Sequence, residues 1–470
     1  MSNESIHSAI RRSRSLACSL LILLAPLASA QLDFSVSPSP VGSGARAAGM
    51  ADAFVSIADD ATAASWNPAG LVQLELPELS IVGEFHSLSE SFNADNFSFD
   101  PMFESDHSAS NTDLNFLSFV YPAYIFNRNV VFSMSYQQRY DFGRDFRTNF
   151  NTQNDVSTQI LEGSFDQEGS FSVLTPSVAF PVTDSLSLGI SVNLWRSSVF
   201  ADNDWEVTEG FNIDSFQDGV LVREIQQVQT ESYDDFRGEN FVIGALWNVN
   251  DRWNIGLRFD TAFKGKVDYG RTISRLDTAL AEPFFSEISE DRKIKFPWTV
   301  AFGASYRRND RLTLSMDISI TDWDKAYVQD ESGEKFSLID GLSFDSSAHT
   351  DLDPTKTVRL GAEYVFIPKT RGEKLNTLWS LRGGLFYDQE PATGRPSAGA
   401  AAFEPGDGNP DDFYGIATGV GLLVKQRVNI DVAYQFRYGH DVNTDFVRGV
   451  PGFDEDVTQH RVVFSTVIYF

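Results

Sequence analysis

The single cysteine, Cys18, lies in an N-terminal processing segment, so the mature sequence has none. Structural disulfides, a thiolate metal centre and a cysteine nucleophile are thereby excluded. After residue 30 no stretch comes near the run of about eighteen apolar residues that a membrane helix needs, which excludes transmembrane helices. Positive charge is also scarce: 37 Lys and Arg face 65 Asp and Glu, for a formal net charge of -28. Phosphates would be repelled, so nucleic acid is not an expected partner. The mature histidines, His86, His107, His349, His440 and His460, include no two at metal-ligand spacing, and no GxSxG, HExxH or phosphate-binding glycine loop is present. No enzyme activity, metal or cofactor is expected. The stretches Asp340 to Asp353 and Asp407 to Asp412 have the oxygen ligands for a divalent cation but not the spacing of an EF-hand, and read as solvated loops.

What is present begins with an export signal over residues 1–30. Arg11, Arg12 and Arg14 form the positive region, Leu16 to Leu27 the apolar core, and Ala28-Ser29-Ala30 the cleavage site before Gln31. Removing it takes away three arginines and Glu4 and moves the net charge from -28 to -30. An exported, cysteine-free, aromatic-rich chain without membrane helices is either a soluble periplasmic protein or an outer-membrane β-barrel.

From Leu79 onward, apolar residues alternate with polar or small ones in segments of about ten, the length of a tilted membrane strand. In the clearest segment Leu312, Leu314, Met316, Ile318 and Ile320 share one face and Thr313, Ser315, Asp317, Ser319 and Thr321 the other. Similar segments run over 186–194, 253–263, 294–306, 358–366, 414–424 and 428–438, with weaker ones near 79–86, 114–125, 130–140, 170–180, 236–248 and 379–387. With the terminal 461–470 the count is fourteen. Long links near 87–111, 141–169, 201–235, 270–292, 324–354, 388–412 and 439–459 alternate with short ones. That sorting predicts an antiparallel up-and-down transmembrane β-barrel of about 14 strands, an all-β fold with both termini on the short-turn side. Val462, Phe464, Thr466, Ile468 and Phe470 share a face of the last strand, like the terminal strand through which the barrel assembly machinery recognises outer-membrane barrels. Trp253, Trp298 and Trp323 sit at strand ends, where an interfacial aromatic girdle is expected.

Between Gly44 and Leu71, 13 of 28 residues are Ala or Gly, and the run closes on Trp66-Asn67-Pro68-Ala69-Gly70. Small residues permit close backbone packing in a confined space, and Asn-Pro followed by Ala-Gly forces a turn. With Asp59-Asp60-Ala61 and Asn67-Pro68-Ala69, this run resembles the N-terminal hatch of the FadL/TodX family of outer-membrane transporters. Further likeness lies in Phe296-Pro297-Trp298 leading into one strand with Asp322-Trp323 closing the next, and in Val358 to Tyr364 followed by Leu381 to Pro391.

The resemblance implies a signal over 1–30, a hatch plugging the lumen over 31–75 and a barrel over 76–470. It also implies uptake of long-chain fatty acids or other hydrophobic molecules by capture in an apolar lumenal pocket, hatch rearrangement and lateral release. In the family the lateral gap follows a kink in the third strand; residues 129–141 contain no Gly or Pro to mark one. The implied partners are the hydrophobic solute, outer-membrane lipid and lipopolysaccharide. A scaffold or interaction barrel without a transport role is the alternative.

If the apolar face of each strand meets lipid, Arg139, Arg258, Lys264, Lys293, Lys295, Arg359, Arg382 and Arg437 point inward beside Asp260, Asp317, Glu363 and Asp431. Such cations either hold a substrate carboxylate by charge-assisted hydrogen bonds or form an internal salt-bridge network. Arg258, Arg359, Arg382 and Arg437 are the candidates for the first role, and Asp59, Asp60, Asn67, Pro68 and Ala69 for shaping the hatch.

Overall fold

A computed structural model describes residues 42–93, 106–153, 157–336, 352–368, 376–391, 410–442 and 454–470. The signal segment 1–30, residues 31–41 of the expected hatch, and 340–351 and 407–409 of the two acidic stretches lie outside the described residues. The first ten strands are β1 (Glu78–Asn93), β2 (Asp106–Ile125), β3 (Arg128–Asp141), β4 (Arg144–Gln153), β5 (Ser157–Pro181), β6 (Leu186–Trp195), β7 (Trp205–Gln217), β8 (Val220–Asn250), β9 (Trp253–Asp260) and β10 (Phe263–Asp277). The others are β11 (Phe284–Phe296), β12 (Thr299–Asn309), β13 (Leu312–Thr321), β14 (Tyr327–Gln329), β15 (Lys335–Phe336), β16 (Thr355–Phe366), β17 (Thr377–Glu390), β18 (Asp411–Val424), β19 (Val428–Val442) and β20 (Asp454–Tyr469).

Fourteen of these, β1, β2, β3, β5, β6, β8, β9, β12, β13 and β16 to β20, pair antiparallel in succession, and β20 pairs back onto β1. The closed ring leaves no edge unpaired, which is the condition for strands to cross lipid. Each expected segment except 294–306 falls on one of these strands. Alternation sends Leu257, Phe259, Phe302, Leu360, Ile416 and Phe464 outward, where they stay exposed, while Arg258, Asp317, Glu363 and Asp431 are buried inside. An apolar exterior around a polar interior is stable only with lipid outside. Short turns close tightly: Phe126 and Asn127 both have positive φ (49 and 62), as do Lys425 and Gln426 (51 and 54), the twist that two-residue hairpins favour.

Two expectations are corrected. The described residues of the long links over 141–169, 201–235, 270–292 and 324–336 are largely strand. β5 and β8, with 25 and 31 residues, run past the barrel rim and join β4, β7, β10, β11, β14 and β15 in a second antiparallel sheet. The reason is that alternation persists there: Val207, Ile213, Ile225, Tyr233, Val267, Tyr269 and Ile273 are buried on one face. The segment 294–306 is not one strand either, since Pro297 and Trp298 separate β11 from β12; proline has no N–H to offer the ladder.

Residues 42–77 precede β1 and lie within the barrel. Ala45, Met50, Ala53, Phe54, Ala61, Asn67, Pro68 and Leu71 are buried, and the segment touches wall strands on all sides. Two short α-turns (Ala45–Ala48 and Ala63–Trp66) and a 3-10 helix (Pro68–Gln73) make up its regular structure.

Candidate functional site

The lumenal segment meets the wall where the wall has no side chain. A Cβ on Gly244 of β8 would come within 2.1 Å of Asn67 Oδ1, and one on Gly189 of β6 within 2.3 Å of the Pro68 carbonyl carbon. Gly256, Gly303, Gly361, Gly384 and Gly419 approach the segment in the same way along β9, β12, β16, β17 and β18. The Ala- and Gly-rich composition of residues 44–71 is thus matched by glycine on the facing strands.

Polar bonds fix the register of that contact. Asn67 Nδ2 donates to the carbonyls of Val55 (2.9 Å) and of wall residue Ala245 (3.0 Å), while its Oδ1 accepts from Ala69 N–H. Pro68 follows as the first residue of the 3-10 helix, where its missing N–H leaves nothing unpaired. Asp60 Oδ1 accepts from Thr62 N–H and Oγ1. Asp59 pairs with Arg46, and Arg46 reaches the wall at Glu363 (2.9 Å). Asp317 accepts from the N–H groups of Phe54 (2.6 Å) and Val55 (2.8 Å), Gln435 donates to Ala48 O, and Asn129 to Val72 O and Leu74 O.

The four nominated arginines all occupy buried inward positions. Arg258 holds Asp260 through Nε and Nη2 (both 2.6 Å) and donates Nη1 to the carbonyls of Ser65 and Trp66. Arg382 bridges Glu363 (2.7 Å) and Asp431 (2.6 Å), and Arg437 pairs with Asp388 and Glu390 and covers the Phe413 ring. Arg359 lies opposite Asp317 in the β13–β16 register. Lys264, Lys293 and Lys295, by contrast, do not face the lumen: they lie on β10 and β11, in the second sheet, on the face opposite buried Val267, Ile294 and Phe296. Trp323 is fully buried and belongs to no girdle, whereas Phe259 and Trp298 pair at 6.3 Å on the outer rim.

Above the lumenal segment, where barrel and second sheet meet, the interior turns aromatic. Tyr140, Phe142, Phe171, Trp195, Phe236 and Phe296 form one buried cluster with Phe263 packed on it. Phe171 stacks on Phe236 at 4.3 Å, Trp195 on Phe263 at 5.1 Å, and Tyr140 on Phe296 at 5.3 Å. Alternation in β3 does not foretell Tyr140, because the β3–β5 register shifts between Gln138 and Tyr140, making Arg139 the extra residue of a bulge. A bulge puts neighbouring residues on one side. Arg139 and Tyr140 therefore both turn inward, Tyr140 into the cluster and Arg139 toward Asp260 (3.4 Å).

Two arginines, Arg139 and Arg258, thus share the single carboxylate of Asp260 beneath the aromatic cluster. Arg139 Nε is buried without a hydrogen-bond partner among the described residues. Chemically this is a packed aromatic cluster above two arginines that share one carboxylate.

Residues 36–468 match the protein family described as outer membrane protein transport protein (OMPP1/FadL/TodX). A Pseudomonas aeruginosa FadL homologue has the same fold, with TM-score 0.57 and 17% identity over 92% of this chain and 99% of that one. The P. putida toluene transporter TodX gives 0.53 and 13% over 91% and 99%, and the Ralstonia pickettii toluene transporter TbuX 0.50 and 16% over 92% and 99%. No match is found among curated protein sequences. With a closed fourteen-stranded barrel and a family match over nearly its whole length, this chain belongs to the OMPP1/FadL/TodX family of outer-membrane transport proteins.

Proposed function

We propose that this barrel takes up hydrophobic molecules that carry a carboxylate, long-chain fatty acids being the simplest class. The observation that carries the reading is the Arg139–Asp260–Arg258 group beneath the aromatic cluster. An acyl chain entering the cluster exchanges water for aromatic surface, and its carboxylate meets the two arginines that share Asp260. Residues 42–77 act as the hatch, and the bonds of Asn67, Arg258, Asp317 and Gln435 hold it closed. Arg258 links the two events, because it donates both to Asp260 and to the hatch carbonyls of Ser65 and Trp66. A substrate carboxylate that draws Arg258 away loosens the hatch. Arg359, Arg382 and Arg437 serve the internal network. Lateral release fits the stretch where the β5–β6 pairing skips Thr175 and Pro176, close to the β3 bulge; Pro176 brings no N–H there.

The test is native mass spectrometry of the folded barrel with oleate and with methyl oleate. Arg139→Ala is expected to weaken oleate binding roughly 10- to 100-fold, the worth of a charge-assisted bond, and to leave methyl oleate unchanged. Equal loss of both, or of neither, removes the carboxylate assignment.

A further inference from the structure

Like charges directly opposite each other on a sheet repel, yet on the outward face of the second sheet Lys264 faces Lys295 and Lys266 faces Lys293. The row continues through Tyr327, opposite Lys295, and through Gln329, opposite both Lys293 and Lys335. Five of the ten lysines in the sequence thus lie on one face of four strands, in a chain of net charge -28. Lys264, Lys295 and Lys335 surround the Tyr327 ring at 5.3, 5.4 and 4.5 Å. None of the five has a carboxylate within ion-pair distance among the described residues; along β10 and β11 the next acids on this face, Asp268 and Asp291, stand opposite each other one row farther out, and the Asp324 carboxylate lies within electrostatic reach of Lys295.

The place of this face is as telling as its charge. Lys264 follows the rim end of β9 by four residues, and Lys295 precedes the rim end of β12 by four. Phe259 and Trp298, paired on the outer rim just below, mark the level at which aromatic side chains sit in the membrane interface. The lysines therefore stand where the head groups of the outer leaflet stand.

We propose that the outward face of β10, β11, β14 and β15 docks the phosphorylated head group of the outer-leaflet glycolipid, lipid A. A free fatty acid offers one carboxylate and cannot offset five ammonium groups. A bisphosphorylated sugar head group anchored by its own acyl chains at the same height can, and it relieves the two opposed lysine pairs. Elsewhere the acidic surface repels such phosphates, so docking there fixes one side of the barrel toward the glycolipid.

The test uses the full-length folded barrel in detergent, bisphosphoryl lipid A as probe and native mass spectrometry as readout. Replacing Lys264, Lys266, Lys293, Lys295 and Lys335 together by Gln is expected to weaken lipid A retention at least tenfold. Replacing the same five by Arg keeps retention, and salt weakens it in the native protein. Heat-modified mobility on gels reports whether each variant is folded; if the fivefold Gln variant is not, Lys293→Gln with Lys295→Gln is read instead, with a threefold loss expected. Equal retention by the Gln variant, or equal binding of fully dephosphorylated lipid A, overturns the proposal. So does a parallel loss of oleate binding, which would make the face a solute-capturing surface.

Discussion

Asn67 Oδ1 occupies the space that a side chain on Gly244 would fill, 2.1 Å from the position of its Cβ. Two sequence features more than 170 positions apart are therefore one contact. Gly244→Ala is expected to push the Asn67-Pro68 turn off the wall while the barrel closes as before. The checks are trypsin or proteinase K cleavage within residues 42–77 and a higher single-channel conductance, both against unchanged heat-modified mobility.

Asn67→Ala leaves the carbonyls of Val55 and Ala245 and the N–H of Ala69 without their side-chain partner. Buried groups orphaned in this way cost about 1–3 kcal/mol each. Faster hydrogen exchange is expected over residues 54–73 and not in β8. Asn67→Asp accepts but cannot donate, and should resemble the Ala variant.

Phe236 stacks on Phe171 and meets Phe296 edge-on at 5.8 Å. Phe236→Ala removes the middle of the aromatic cluster and costs about 3–5 kcal/mol if the cavity stays open. Denaturant unfolding of the second sheet should move by that amount, and toluene and oleate binding should fall together, unlike the oleate-only loss expected for Arg139→Ala.

Burial and the neighbouring Glu231 push the Glu209 carboxyl in the second sheet up to about 8. A carboxyl raised in the folded state keeps its proton there while the unfolded chain has lost it, so stability falls as pH rises from the usual carboxylate range to about 8 and levels off above. Thermal unfolding of the second sheet, followed by the fluorescence of Trp205 within it, should show that slope. Glu209→Gln should flatten it.

Much of the barrel is legible in the sequence because lipid imposes a strict period of two. Leu312 to Ile320 reads one way only, and the inward positions of Arg258, Arg359, Arg382 and Arg437 follow from it. The second sheet is less legible: the same alternation runs on through Val207 to Ile213 and Val267 to Ile273, but nothing local tells a strand in lipid from one above the rim. For that reason the alternation points Lys264, Lys293 and Lys295 to the lumen, whereas they lie on the second sheet. The inward position of Arg139 follows from the same alternation, but Tyr140 turns inward beside it only because of a one-residue bulge without Gly or Pro, so the period-two reading misplaces Tyr140. Trp323 looks like a girdle residue by position and is buried because the second sheet covers it.

The most direct measurement is uptake of labelled oleate by cells in which this chain is the only barrel of its family. Uptake should depend on the chain, fall at least tenfold with Arg139→Ala, and persist with Arg437→Ala. Uptake equal to that of cells lacking the chain, or equal uptake by the Arg139→Ala variant, would contradict the account.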